Sequence, residues 1–226
     1  MNSDIFNLEQ KPKGYYVGLR NEMLRFIPRN IGKVLEVGCG EGEFGRLLKS
    51  NLKAEVWGIE ISETAAKNAQ KELDKVLIGN IEEENIPLPK GYFDCIIFND
   101  VLEHLRYPWN VLKNIKKNLK PNGYVVASIP NIRYYYTVYD LLRYGRWRYE
   151  DKGILDKTHL RFFTIESIKE MFKASGYYLS RIEGINACKV SWKFRIFNWF
   201  MMKRFEDMRY TQFACVAQPV KGDELV

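Results

Sequence analysis

The sequence predicts a doubly wound α/β fold, a largely parallel sheet with helices on both faces, and three observations predict it. Short apolar runs alternate with helical stretches through the first 130 residues, the pattern of strands buried on both faces. A glycine turn, Gly38-Cys39-Gly40-Glu41-Gly42, joins the first run to the next helix. Glu60 ends the second run, about 20 residues past the glycine turn, where such sheets carry an acid for a ribose.

Taken in order, a first helix is expected over 14–27, with Leu19, Met23, Leu24 and Ile27 on one side and Pro28 ending it. The first strand is Lys33–Gly38, and a helix follows over Phe44–Ser50 with Leu47 and Leu48 inward. Glu55–Ile59 forms the second strand. Ser62, followed by Glu63, caps the next helix. Val76–Gly79 and Phe93–Phe98 are the third and fourth strands, Pro108 opens a helix over 108–119, and Tyr124–Ile129 is the fifth strand. The regular alternation then breaks. Residues 131–163 form a connection far longer than the usual 2–6 or so residues, and such insertions serve as substrate lids. Strands over Tyr177–Ile185 and Thr211–Val220 end the fold, with an aromatic, basic helix inserted at 189–210. The 226 residues read as one domain, with residues 1–30 as an N-terminal cap.

No run approaches the roughly 18 apolar residues of a membrane span, and the N-terminus lacks a basic segment followed by an apolar one. Cys39, Cys95, Cys188 and Cys215 are scattered without a C-x-x-C pair. They are expected to be buried, reduced thiols of a cytoplasmic protein, with no metal site. The net charge of +7 is local: residues 131–210 hold 16 Lys and Arg against 9 Asp and Glu, while the first 130 nearly balance. An anionic partner at the later middle of the chain is implied.

The turn Gly38-x-Gly40-x-Gly42 lets backbone approach a ligand at a helix N-terminus. A dinucleotide site wants G-x-G-x-x-G, and the third glycine would fall at Glu43. A long acid suits a pyrophosphate poorly, so a cofactor without phosphates fits better. Glu60 then accepts ribose hydroxyls, or else merely caps the strand.

The segments Val34-Leu-Glu36-Val-Gly38-Cys-Gly40-Glu-Gly42, Gly58-Ile-Glu60, Gly79-Asn80-Ile81-Glu82, Phe93-Asp-Cys-Ile-Ile-Phe-Asn-Asp100-Val-Leu-Glu-His104 and Leu119-Lys-Pro-Asn-Gly-Tyr124 occur in this order. Together, over about residues 30–185, they resemble a class I S-adenosylmethionine-dependent methyltransferase. The resemblance implies a Rossmann-like seven-stranded sheet, mostly parallel with the last strand antiparallel, and S-adenosylmethionine as cofactor. It implies that Glu36 lies near the methionine amino group and that Gly38, Cys39, Gly40 and Gly42 line the donor. Glu60 would hold the ribose hydroxyls, Ile61 would lie on adenine, and Asn80 and Ile81 would flank its ring. The family more often has Asp at position 80. Asn99 would sit beside the sulfonium, and Tyr16 and Arg20 would close over the cofactor, with Arg20 at its carboxylate.

Methyl transfer is an in-line displacement from an activated donor, so alignment of the acceptor matters most. A hydroxyl acceptor must also lose its proton. The two histidines stand where this is useful: His104 just after the fourth strand and His159 where the lid returns. Either is a base or substrate contact or, alternatively, a backbone anchor, and Asp100 and Glu103 orient the base, bind substrate or serve the helix start. The lid arginines Arg133, Arg143, Arg146, Arg148 and Arg161 suit phosphate or carboxylate, and aromatic faces stack on sugars. The runs Ser128-Ile-Pro-Asn131, Gly145-Arg-Trp-Arg-Tyr149 and Asp156–Thr164 are similar to bacterial methyltransferases of glycan and cell-surface polysaccharide synthesis. That resemblance implies O-methylation of a sugar, nucleotide sugar or phosphorylated glycan precursor. Nucleic acid is disfavoured, since no N-P-P-[FYW] motif follows the fourth strand. Two alternatives remain: a quinone or lipid acceptor met at a membrane surface through Trp192, Phe194, Phe197, Trp199 and Phe200, and a non-catalytic binding protein of the same fold. A monomer or homodimer is expected.

Overall fold

A computed structural model describes residues 20–83 and 86–220. Seven strands form one sheet: β1 (Lys33–Val37), β2 (Glu55–Glu60), β3 (Lys75–Ile78), β4 (Phe93–Asn99), β5 (Leu119–Pro130), β6 (Tyr177–Ala187) and β7 (Tyr210–Pro219). Their order is β3-β2-β1-β4-β5-β7-β6. The first five pair in parallel, and β7 runs antiparallel to both β5 and β6. The chain winds outward in both directions from β1, so the cleft between the loops after β1 and β4 is the switch point where open sheets bind ligands. Register places the strand ends level. Val37 pairs with Ile59 and with Phe98, and Asn99 pairs with Ser128.

The helices are α1 (Glu43–Leu52), α2 (Glu63–Ala69), α3 (Pro108–Ile115), α4 (Tyr135–Tyr144), α5 (Ile165–Ala174) and α6 (Trp192–Phe200). Alternate residues of each central strand enter opposite cores. Leu35, Ile96, Phe98 and Val125 pack with Leu112, Ile168 and Phe172 of α3 and α5. Val34, Val56, Cys95 and Ile97 pack with Phe44 and Leu48 of α1 and with Met23 and Phe26. Sequence-local caps start two helices. The Ser62 hydroxyl accepts the Ala65 N–H, and Thr164 and Ser167 form a reciprocal capping box at α5.

Several elements differ from expectation. The helix expected over 14–27 is, among the described residues, a 3-10 helix at Asn21–Phe26 that leaves Met23 and Phe26 buried, and Tyr16 lies outside the described residues. The helix at Pro108 ends at Ile115, because Leu119 already pairs with Phe93 and opens β5. A register shift between Phe93 and Cys95 then absorbs Pro121, Asn122 and Gly123. The inserted helix covers only Trp192–Phe200 of 189–210, and a 3-10 turn at Glu206–Arg209 precedes β7. Cys188 is half-buried, unlike the other three cysteines, because it lies just past the free end of β6.

The long connection leaves β5 at Asn131 and returns at Phe163, and these two residues pair as an isolated bridge. It carries a helix the sequence did not suggest, α4, which buries none of its residues. Gly145 ends α4 with φ +62°, a left-handed cap. Among the described residues no helix is long and apolar enough to cross a membrane.

Candidate active site

The loops after β1, β2, β3, β4 and β5 enclose a cleft of about 1410 Å³, roofed by the long connection. Its two halves differ in how they are made. The first is backbone turned by glycine. Gly38, Gly40 and Gly42 hold φ of +69°, +53° and +86°, a region that costs other L-residues about 1–2 kcal/mol each. A Cβ on Gly38 would also stand 2.7 Å from Val101 Cγ2. The turn thereby presents amides rather than side chains to the cleft.

Glu60 reaches back to this turn. One carboxylate oxygen accepts the Gly40 N–H at 2.8 Å, and the other accepts the Ser62 N–H at 2.9 Å. Burial raises its pKa, while the N–H groups of Ser62, Gly40 and Ile61 oppose the rise. A carboxylate has about four acceptor sites, so each oxygen keeps capacity toward the cleft. Glu36 lies beside it, 3% exposed, with Oε2 lacking a hydrogen-bond partner. Burial pushes its pKa up to about 8, the Gly45 N–H opposes this, and the Glu60 charge adds to it. Asn99 holds both amide atoms buried and unpartnered at the end of β4. Ile61 is exposed in the cleft wall, and Ile81 borders it.

Two expected donor-side residues are held by local contacts at the cleft wall. The Cys39 side chain points under the turn, where a Cβ on Gly58 would meet its sulfur at 2.5 Å. Only its backbone is suited to line a ligand, and burial raises the thiol pKa. Asn80 accepts the Glu82 N–H through Oδ1 at 3.0 Å, which fixes its side chain in a local turn.

Asp100, with φ +54°, turns the chain out of β4. Its carboxylate is held by the Arg20 guanidinium, by the Ser128 hydroxyl at 3.0 Å and by the Gln212 amide at 2.7 Å. Asp100 therefore anchors Arg20 at the rim, where it borders the cleft, instead of standing at a histidine as the sequence suggested. Gln212 comes from β7, and no local motif marked it.

The second half is made of side chains brought together from distant positions. His104 and His159 meet edge to face with ring centroids 4.6 Å apart. His104 Nδ1 lies 3.2 Å from both the carbonyl and the hydroxyl of Thr158. That hydroxyl donates to Asp156 at 2.7 Å. A chain thus runs from Asp156 through Thr158 to His104, while the Asp156 carbonyl accepts the His159 backbone N–H at 2.9 Å. His159 Nδ1 faces the Ile154 carbonyl at 3.0 Å, and its Nε2 lies 3.9 Å from Glu103. Glu103 is 1% exposed, with neither oxygen hydrogen-bonded. Burial, and then the Asp100 charge, raise its pKa well above the usual carboxylate range. The Glu103 carbonyl accepts the N–H groups of Leu160 and Arg161, fastening the returning lid to the end of β4.

Of the five lid arginines, Arg146 and Arg148 border the cleft. Arg133 pairs with Asp207 at 3.0 Å, Arg161 donates to the Arg106 carbonyl at 2.6 Å, and Arg143 stacks on Tyr144. Tyr134, Tyr136, Asp140 and Glu150 also line this end. The aromatic helix α6 lies outside the cleft. Phe194 meets Tyr135 of α4, and Trp192, Trp199 and Phe200 stay exposed.

Comparison with known proteins agrees with this geometry. The methyltransferase domain family matches residues 12–181. An uncharacterized protein of Methanocaldococcus jannaschii is 30% identical over 155 residues, covering 68% of this chain and 67% of that one. A ubiquinone biosynthesis O-methyltransferase of Acinetobacter baylyi is 30% identical over 105 residues, 44% of each chain, so the match spans less than half of that relative. Among solved structures, a SAM-dependent methyltransferase from Archaeoglobus fulgidus superposes with a TM-score of 0.67 at 23% identity, over 87% of this chain and 91% of that one. The chain belongs to the class I S-adenosylmethionine-dependent methyltransferases.

Proposed function

We propose that this chain transfers the methyl group of S-adenosylmethionine to a hydroxyl of a small anionic, sugar-containing acceptor, such as a nucleotide sugar or a phosphorylated glycan precursor. The donor half fits the cofactor on its own chemistry. Glu60 retains acceptor capacity for two ribose hydroxyls beside the Gly40 amide. The unpartnered Glu36 Oε2 suits the cofactor's ammonium, and the orphaned Asn99 amide suits a polar group near the sulfonium. Ile61 and Ile81 offer apolar surface to adenine, and Arg20 stands at the rim to meet a carboxylate. Bound there, the cofactor supplies a methyl already activated by its sulfonium.

The acceptor end carries the finer reading, and the observation behind it is the pair Arg146 and Arg148 bordering the cleft together with Asp140, Glu150, Tyr134 and Tyr136 of the lid. Guanidinium forks suit a phosphate, and carboxylates accept sugar hydroxyls. His104 and His159 stand at this end, where they govern the ionisation of the reacting hydroxyl. A second reading has its own support: relatives named as ubiquinone biosynthesis O-methyltransferases and the exposed Trp192, Trp199 and Phe200 of α6 favour a phenolic lipid reached at a membrane surface.

The test is formation of S-adenosylhomocysteine by the full chain with a panel of nucleotide sugars and of prenylated catechols. Turnover with the sugars supports the first reading. Turnover confined to the catechols replaces it with the second.

A further inference from the structure

Neither the cofactor nor the lid explains why Glu103 is buried. Its side chain is 1% exposed and both oxygens lack a hydrogen-bond partner, a position that costs several kcal/mol for an ionised carboxylate unless a positive charge stands beside it. Around it stand His104 and His159, and one donor atom from each of the three lies within 4.8 Å of the others. Each imidazole is oriented through Nδ1 by a backbone carbonyl, His104 by Thr158 at 3.2 Å and His159 by Ile154 at 3.0 Å. A carbonyl only accepts, so these contacts favour the tautomer with the proton on Nδ1, the form that ligates through Nε2. Metal-ligating histidines are held in this way, by a second contact that fixes tautomer and ring plane. The Thr158 hydroxyl and Asp156 continue that support behind His104. All three side chains belong to residues bordering the cleft, on the lid side of Asn99.

We infer that Glu103, His104 and His159 bind one divalent transition-metal ion, whose open position faces the cleft and takes the acceptor's hydroxyl oxygen. The ion's role in catalysis rests on the proposed O-methylation, whereas its binding does not. Two imidazoles and one carboxylate with a vacant position suit Zn²⁺, Mn²⁺, Co²⁺ or Fe²⁺, whereas Ca²⁺ and Mg²⁺ call for oxygen ligands. Zinc–nitrogen bonds of about 2.1 Å put tetrahedral ligands ~3.4 Å apart, so rotation of the three side chains by little more than an ångström, roughly, closes the site. In this arrangement the imidazoles are ligands. The acceptor hydroxyl gives its proton to solvent water as its oxygen binds the ion. That oxygen then forms the new O–CH₃ bond, and the breaking C–S bond leaves its electron pair on sulfur. This departs from the expectation of no metal, which the scattered cysteines suggested.

The full chain, stripped with a chelator and dialysed, is titrated with Zn²⁺ against a chromophoric competitor and with Co²⁺ by visible absorption. One ion per chain is expected, with the intense ligand-field bands of a low-coordinate Co²⁺ site. Glu103→Gln and His159→Gln are each expected to weaken binding by about 10²-fold or more, and Thr158→Val, which removes an outer support, by about 10–100-fold. Circular dichroism and S-adenosylmethionine titration show that each variant keeps its fold and donor site. The inference is overturned if the folded, cofactor-binding wild-type chain takes up no stoichiometric ion, or if the Glu103 and His159 variants bind it as tightly. An ion bound at the predicted stoichiometry by a chain that methylates no sugar keeps the site and removes only the proposed acceptor.

Discussion

The donor half and the acceptor half of the cleft share one sheet edge, yet they are built by different means. The donor half is local: three glycines within five residues turn the chain, and one carboxylate from the neighbouring strand locks the turn through backbone amides. The acceptor half is assembled over distance. His104 meets His159 across the root of a long insertion, and the Thr158 hydroxyl links His104 to Asp156. The difference separates what the fold guarantees from what a particular lid adds. In the proposed function, backbone geometry at a switch point serves the cofactor and side chains on the lid serve the acceptor.

That division predicts that the halves fail separately. The largest effect is expected from His104→Ala, which should slow turnover by about 10²–10⁴-fold while leaving S-adenosylmethionine affinity within a few-fold, as read by single-turnover rates and calorimetry. Equal loss of both would merge the two halves. Gly38→Ala strikes the other side. Its positive φ and the 2.7 Å approach to Val101 should cost about 2 kcal/mol, read as a lower unfolding midpoint with weaker cofactor binding. Arg146→Ala with Arg148→Ala should raise KM for a phosphorylated acceptor about tenfold or more, in line with the ~1.5–3 kcal/mol of a charged hydrogen bond, and should leave cofactor affinity unchanged.

A subtler effect sharpens the donor side. With its pKa pushed up to about 8 by burial, Glu36 is protonated at neutral pH in the cofactor-free fold. A bound ammonium favours the ionised form. Cofactor binding should therefore release a proton below pH 8, and affinity should fall by up to roughly tenfold per pH unit from 8 toward 6. The sign for stability is the reverse of the common carboxylate case. An unfolded Glu36 ionises above its ordinary value of 4.5, so the cofactor-free chain loses stability as pH rises from 4.5 to about 8. Glu36→Gln should flatten both profiles, measured by calorimetry in buffers of different ionisation enthalpy and by denaturant midpoints.

The same division governs what could be read from the chain alone. β1, the glycine turn and β2 were legible because a short apolar run, a turn needing positive φ and an acid at the strand end are local signals. The two histidines were singled out one at a time. Their contact was not legible, since it depends on how the lid folds back onto the end of β4. Helix α4 is not legible because it lies in the insertion, outside the strand–helix alternation, and none of its residues reaches the core. Asp100 was taken for a base orienter because its partners, Gln212 and Ser128, come from strands adjacent in space and distant in sequence. Cys39 borders the cleft as its place in the turn implies, but the packing of its sulfur against Gly58 is a contact across two strands that no local signal gives.

Calorimetric titration of S-adenosylmethionine into the full chain and into its Glu60→Ala variant reaches the centre of the account. Saturable one-to-one binding is predicted for the native chain, weakened about 10²-fold when the carboxylate that spans Gly40 and Ser62 is removed, as loss of two charged hydrogen bonds implies. Native binding that is absent, or that survives the substitution at full strength, would contradict it.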